Sequence, residues 1–338
     1  MSKRIVFFNH KGGVSKTTTV YNLGWKLAEK SNVLIVDGDP QCNLTSLILR
    51  DNFDKYYSDD ETKNQNIKDG VEPAFSGRPV PISNVKCITA DRNRNLFLMA
   101  GHANLAEYDA SLTFAQTSNN AIATLQNLPG AFNELMELCE KEYDIEYTLI
   151  DLNPGLSAIN QNLFLNSDYF VIPANPDPFS IMAIETLSTV LPRWGHWKNS
   201  ATDLFSSSAY SLRNGMPKFI GTIIQRFNIR NGKAAKPYRD NIDEIKTKVR
   251  NVLVPKLSVA NMLISPNKYL DQDFCLEEIP DFGGLLPKSF EAGVPVYALD
   301  DGDINETGIV LDGLKSKSKD LNDKITSIAT KIKVMTDE

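Results

Sequence analysis

No run of about 18 apolar residues occurs in the 338-residue chain, so no membrane-spanning helix is expected. Histidine is reduced to His10, His102 and His196, scattered without the company that a zinc site or a catalytic triad requires. Of the three, only His10 stands where position alone would let it touch a ligand. The four cysteines, Cys42, Cys87, Cys139 and Cys275, show neither paired nor metal-ligand spacing and read as reduced thiols of a cytoplasmic protein. Positive charge is not in excess either. With 36 Lys and Arg against 42 Asp and Glu, the net charge of −6 argues against a constitutive nucleic-acid clamp. A local basic patch active in one state stays open. There is no low-complexity linker and no internal repeat, and the chain runs at once into an apolar strand, so no signal peptide is expected. What is present is a hydrophobic fraction of 42%, enough for a sizeable core in one large α/β domain with insertions or in two small domains.

Arg4 to Phe8 reads as a buried strand, and Val20, Leu23, Leu27 and Ala28 recur at helical spacing, so a helix starts near Lys16. Between them lies Asn9-His10-Lys11-Gly12-Gly13-Val14-Ser15-Lys16-Thr17-Thr18. Strand, glycine loop and helix form a phosphate cradle, with the N–H groups of Gly12 to Thr17 and the positive helix end facing the anion. Lys16 supplies a point charge for the terminal phosphates, and the Thr17 hydroxyl is placed to ligate magnesium.

Three further strands carry signals. Val33 to Val36 ends in Asp37-Gly38-Asp39-Pro40-Gln41-Cys42-Asn43, which puts acids at the carboxyl end of a strand, where open α/β sheets bind ligands. Tyr147 to Ile150 ends in Asp151, the Walker B pattern, in which the aspartate holds magnesium through water. Tyr169 to Ala174 is a strand followed by a helix from Pro178 to Val190, and Phe219 to Phe227 is another strand. Residues 50–94 read as a loop-rich surface insertion with short helices at 67–75 and 82–85. Ala121 to Cys139 reads as two helical stretches interrupted near Pro129-Gly130. Basic residues from Arg226 to Lys256 are interleaved with Asp240, Asp243 and Glu244, so a solvated helix face competes with a contact patch for DNA or a partner. From Asp303 to Val334 a helix is expected, with Leu311, Leu314, Leu321, Ile325, Ile328 and Ile332 near one side. Lacking Trp and Phe there, it is expected to pack on the domain rather than on a membrane.

Lys-Gly-Gly-Val-x-Lys-Thr-Thr resembles the deviant Walker A motif of the ParA/MinD family of ATPases, and Asp-x-Asp-Pro-Gln-x-Asn and Asp151-Leu152-Asn153-Pro154-Gly155 resemble its two switches. With the Ile-Pro strands, the resemblance nearly spans residues 3 to 300. It implies a doubly wound, mostly parallel sheet flanked by helices, in a domain of residues 1–302 with a C-terminal helical extension at 303–338. It implies that Lys11 reaches the phosphates of a second subunit across an ATP sandwich, and that Asp39 directs the attacking water. By the same resemblance Asp37 supports magnesium and the loop, while Gln225, Arg226, Pro280 and Asp281 face the adenine. Ser15 and Cys42 stand where the family usually has glycine. The resemblance is closest to ParA-type partition ATPases. It implies slow ATP hydrolysis, an ATP-bound homodimer that binds DNA without sequence preference in a cytoplasmic, nucleoid-associated setting, and a ParB-like partner. Operator recognition is not expected, because no helix-turn-helix precedes the first strand. Two rivals remain: a nucleotide-gated interaction switch of a mobile-element or defence operon, and a MinD-like membrane positioner.

Overall fold

The computed structural model describes residues 2–117, 125–206, 208–230, 233–270 and 273–337. The strands are β1 (Lys3–Phe7), β2 (Val33–Gly38), β3 (Ile88–Ala90), β4 (Asn93–Met99), β5 (Tyr147–Leu152), β6 (Tyr169–Ala174), β7 (Lys218–Phe227), β8 (Ile229–Arg230), β9 (Lys233–Ala234) and β10 (Cys275–Pro280). Eight of them form one sheet in the order β10-β7-β6-β1-β5-β2-β4-β3, parallel throughout except for β3, which runs antiparallel to β4 at one edge. The short β8 and β9 make a separate hairpin.

The central strands are apolar on both faces, as a sheet covered on both sides requires. Alternate residues divide between two cores. Val6, Leu34, Val36, Ile150 and Ile172 point to one, and Ile5, Phe7, Val33, Ile35 and Leu149 to the other. Helices α1 (Lys16–Leu27) and, far along the chain, α13 (Gly308–Thr336) cover the second face. Between them in sequence run α2 (Asn43–Leu49), α3 (Phe53–Ser58), α4 (Ile67–Phe75), α5 (Asp109–Thr117), α6 (Leu128–Glu142), α7 (Ala158–Leu165), α8 (Pro178–Leu204), α9 (Lys236–Lys248), α10 (Val254–Val259), α11 (Leu285–Ala292) and α12 (Asp301–Ile304). Of these, α4 to α10 contribute to the first face. The sheet is therefore doubly wound, and its winding reverses at β1, between β5 and β6; the crevice at the carboxyl end of such a switch point is where ligands bind.

Several expectations change. Residues 50–94 do contain a helix at 67–75, but 82–85 is not helical, and Ile67, Val71, Ile82 and Val85 all enter the core rather than lying on the surface. Pro129 does not break a helix; it begins α6, where its missing N–H costs nothing, and Gly130 lets the Tyr210 carbonyl come close. The part of that expected helix at 121–124 lies outside the described residues. Helix α8 runs on through Pro192 to Leu204. Cys87 and Cys139, distant in sequence, meet in the core, their sulfurs 3.9 and 3.7 Å from the same Val85 carbonyl oxygen. The C-terminal helix buries Leu321, Ile325, Ile328 and Ile332 against the sheet, with Leu311 and Leu314 half-buried. No described helix is long and apolar enough to cross a membrane.

Candidate nucleotide site

β1 delivers the chain into a loop that turns into α1 at Ser15, and this residue takes the left-handed conformation (φ 58°). No side chain caps the first N–H groups of α1, and its first turn holds no acid, so its positive end is open to an anion. A cavity of about 450 Å³ lies against this helix end. Gly13, Val14, Ser15, Lys16, Thr17 and Thr18 line one wall, with Asp39 from the β2–α2 turn and Pro154 from the turn after β5. The opposite wall is Gln225, Arg226, Pro280 and Asp281 with the apolar Phe282, Leu286 and Phe290. These last three were missed in the sequence, although their spacing of four marks one helical face.

Lys16 is almost fully buried, and its Nζ donates only to the carbonyls of Asn9 (3.2 Å) and Lys11 (3.4 Å). Burial lowers its pKa, against the opposing pull of Asp151 and Asp39. Asp151 lies in register with Asp37 on β2 and Phe7 on β1. Both of its carboxylate oxygens are buried without a hydrogen-bond partner, with the Thr17 hydroxyl alongside. Burial first, and Asp37 second, push this carboxyl up to about 8.

The other acids behave differently. Asp39 faces the cavity and accepts from the Gln41 N–H (2.9 Å), which holds the turn. Asp37 does not line the cavity. Its oxygens accept from the Asp39 N–H (3.2 Å), the Thr45 N–H (2.8 Å) and the Thr45 hydroxyl (2.7 Å). Asp37, expected to support magnesium and the loop, is tied to the loop by these donors, and burial raises its pKa to about 6. Cys42 starts α2 with φ 52°, so both positions where glycine was expected are left-handed ones, which explains the family preference. His10 does not line the cavity, and its Nδ1 is buried without a partner.

Lys11 also stands outside the cavity lining, its ammonium bound to Asp177, the N-cap of α8, and to the Ser180 hydroxyl (3.1 Å). Gly12 packs on Pro154. Gln225 is brought to the cavity wall but is buried, and its amide is engaged with the loop, donating to the Val14 carbonyl at 2.8 Å. Arg226, exposed and with φ 66°, donates to the Gly13 carbonyl (3.1 Å) and stands 3.9 Å from Asp281. Of the basic stretch, Lys246 pairs with Asp273 (2.9 Å) and Glu278 (2.8 Å), and Lys248 with Glu185. Arg230, Lys233, Lys236 and Arg239 have no ion-pair partner among the described residues.

Comparison with known proteins agrees with this geometry. A family model described as an AAA domain (AAA_31) matches residues 2–202. An uncharacterised protein of Methanocaldococcus jannaschii is 32% identical over 184 residues, 53% of this chain and 61% of its own length. A virulence plasmid ParA family protein of Chlamydia psittaci is 29% identical over 187 residues, 55% of this chain and 61% of its own. The chain thus aligns with only about three-fifths of the length of these curated relatives. In fold, the crystal structure of a plasmid partition protein of Borrelia burgdorferi bound to AMPPNP superposes with a TM-score of 0.58 at 19% identity, covering 95% of this chain and 100% of that one. With a family model matching well over half of its residues, the chain belongs to the ParA/MinD-type P-loop ATPases.

Proposed function

We propose that this protein is an ATP-dependent, dimerising ATPase of the partition type. One observation carries the reading. At the open end of α1, the buried Lys16 lines a cavity with its Nζ donating to loop carbonyls, and the Asp151 carboxylate lies buried beside the Thr17 hydroxyl, its oxygens without a hydrogen-bond partner among the described residues. Buried charges are normally paired, and a triphosphate with its cation supplies both missing partners. The triphosphate lies along the N–H groups of Gly13 to Thr18, with Lys16 on the terminal phosphates. The base rests between Arg226, Pro280 and Asp281 and the apolar wall of Phe282, Leu286 and Phe290.

Magnesium fits the residues present, because Thr17 and Asp151 offer hard oxygen donors and the Asp151 oxygens are otherwise orphaned. No group of three or more His, Cys, Asp or Glu side chains converges among the described residues, so phosphate and water oxygens complete such a shell. When bound, the ion offsets negative charge on the phosphates. Asp39, inside the cavity, orients and accepts a proton from the attacking water. Lys11 must leave Asp177 and Ser180 to reach a second subunit, which makes the dimer conditional on bound nucleotide.

The dimer binds DNA without sequence preference, and a ParB-like partner triggers hydrolysis. The resemblance of the motifs motivates this part, and the basic cluster of Arg230, Lys233, Lys236 and Arg239 around the β8–β9 hairpin is in keeping with it. The internal pairing of Lys246 and Lys248 favours a second reading, an interaction switch that ignores DNA. Burial of the apolar side of α13 speaks against a membrane positioner. Sedimentation with magnesium-ATP, with ADP and without nucleotide, each repeated with nonspecific duplex DNA, separates these. A dimer that forms only with ATP and then carries DNA is the expected result. An ATP dimer that ignores DNA at low salt selects the switch, and a monomer throughout overturns both.

A further inference from the structure

The phosphate loop has two sides, and its outer side is held by side chains that come from distant strands. A trans peptide points its C=O and N–H in opposite directions, so fixing a carbonyl outward aims the next residue's N–H inward. Three consecutive carbonyls of the loop are fixed in this way. Gly13 O accepts from Asn175 Nδ2 (2.9 Å) and Arg226 Nη1 (3.1 Å). Val14 O accepts from Gln225 Nε2 (2.8 Å). Ser15 O accepts from the Thr19 hydroxyl (2.8 Å), with Gln225 Nε2 at 3.4 Å. The Gln225 amide also meets the Thr19 hydroxyl with both of its ends, Nε2 at 2.9 Å and Oε1 at 3.1 Å. Gln225 is only 2% exposed, and its Nε2 donors are taken by the loop and the Thr19 hydroxyl, which leaves the amide little access to a base.

The loop needs such restraint. Gly13 (φ 73°) and Ser15 (φ 58°) are both left-handed, and a non-glycine residue there persists only where its surroundings over-determine it. Arg226, which joins the restraint from the next position on β7, is itself left-handed.

We propose that Gln225, assisted by Asn175, is a positioning residue that clamps the outer carbonyls of the phosphate loop, so that the N–H groups of Val14, Ser15 and Lys16 converge on phosphate. It is not a reader of the adenine. This assignment rests on the triphosphate reading above. It gives the end of β7 a role in binding any nucleoside triphosphate, independent of the base, while Arg226 alone joins the base wall to the loop.

The test measures affinity for a fluorescent ATP analogue, together with the ratio of GTP to ATP needed to displace it, in the full chain and in two variants. Gln225→Glu keeps the shape but sets an acceptor against the Val14 carbonyl, and leaving that group opposed costs about tenfold or more in affinity. Asn175→Ala, at a less buried position, is expected to cost about threefold. In both, the GTP-to-ATP displacement ratio stays as in the unmodified protein. A ratio that moves toward parity makes Gln225 a base reader and overturns the clamp. Affinity unchanged in folded Gln225→Glu, even with a lower melting temperature, overturns it too, because the residue is then merely structural. If Gln225→Glu does not fold, Asn175→Ala decides, and unchanged affinity there overturns the proposal. Failure of the unmodified protein to bind the analogue at all is a separate signature, which removes the triphosphate reading and the clamp with it.

Discussion

At the amino-terminal end of the sheet, Arg4 on β1 is wholly buried and bonded on every side. Its guanidinium donates to Glu140 (2.6 and 2.9 Å), to Asn133 Oδ1 (2.6 Å) and to the Asn166 carbonyl (3.1 Å). Arg213 grips Asp168 (2.7 and 2.8 Å) and the Ser2 carbonyl (2.6 Å), and Thr148 donates to Glu140 (2.7 Å). At the carboxyl end of the same strands, Lys16 donates to two loop carbonyls and is drawn to Asp151 and Asp39, while the Asp151 oxygens have no hydrogen-bond partner among the described residues. Both ends bury charge. One meets most of it within the chain, Arg213 Nη1 excepted, and is scaffold; the other leaves more of it unmet, as the proposed nucleotide site requires. Unsatisfied buried charge, rather than buried charge as such, marks the site.

The largest effect tests the scaffold end. Arg4→Ala leaves the buried Glu140 without its hydrogen-bonded cation, with Arg213 only at 3.8 Å, and is expected to cost about 3–5 kcal/mol of stability. The folded fraction should bind nucleotide within about twofold of the parent, because the Arg4 hydrogen bonds at the far end of β1 do not touch the loop. Urea denaturation and nucleotide titration on the same sample would check both numbers. A tenfold loss of affinity with little loss of stability would break the comparison. Lys16→Ala, at the other end, is expected to do the reverse. Triphosphate affinity falls by about a hundredfold or more, as for removal of a preorganised charged contact. The melting temperature without nucleotide holds or rises, since a desolvated ammonium has gone. If Lys16→Ala melts several degrees lower, the lysine is scaffold after all.

The two ends were not equally legible in sequence. The proposed phosphate contacts lie within one ten-residue string, and the acids sit at strand ends, so local pattern and strand order were enough to propose Lys16, Thr17, Asp39 and Asp151. What holds those residues in place is non-local. Gln225 meets Thr19 across 206 positions, Arg4 meets Glu140 across 136, and no spacing rule reaches that far. By resemblance Asp37 was expected to support both magnesium and the loop; the Thr45 and Asp39 donors that tie it to the loop are not legible in the sequence. Cys87 and Cys139 were read as isolated for the same reason.

Lys198 sharpens the comparison because it is the exception at the scaffold end. Its ammonium is buried and donates to the Leu165 carbonyl, and burial lowers its pKa to about 7, despite Asp168, with Arg213 and Arg4 adding repulsion. In the unfolded chain it returns to its ordinary value near 10.5. Between these values the unfolded chain holds a proton that the folded chain lacks, so stability rises with pH from about 7 upward; below that the cost is present in full. The contribution has a slope of up to about 1.4 kcal/mol per pH unit. Lys198→Met should be more stable than the parent at pH 6.5 and should lose that part of the rise between pH 7 and 9. Parallel melting curves of the two proteins across this range would rule the account out.

The smallest effect concerns strain rather than charge. None of Arg4, Asn133, Glu140, Asp168 and Arg213 has a positive φ, whereas Ser15, Cys42 and Arg226 at the site all do. The site end therefore carries backbone cost as well as unpaired charge, and glycine is the residue that removes it. Ser15→Gly relieves a left-handed serine worth about 1 kcal/mol, less the entropy that glycine adds to the unfolded chain. The variant should melt slightly higher, and its triphosphate affinity should stay within about threefold, because the clamped carbonyls still aim the same N–H groups. If affinity instead falls tenfold while stability rises, the serine hydroxyl is itself a phosphate donor. The strain at Ser15 would then be the cost of placing that hydroxyl, not a tolerated departure from glycine.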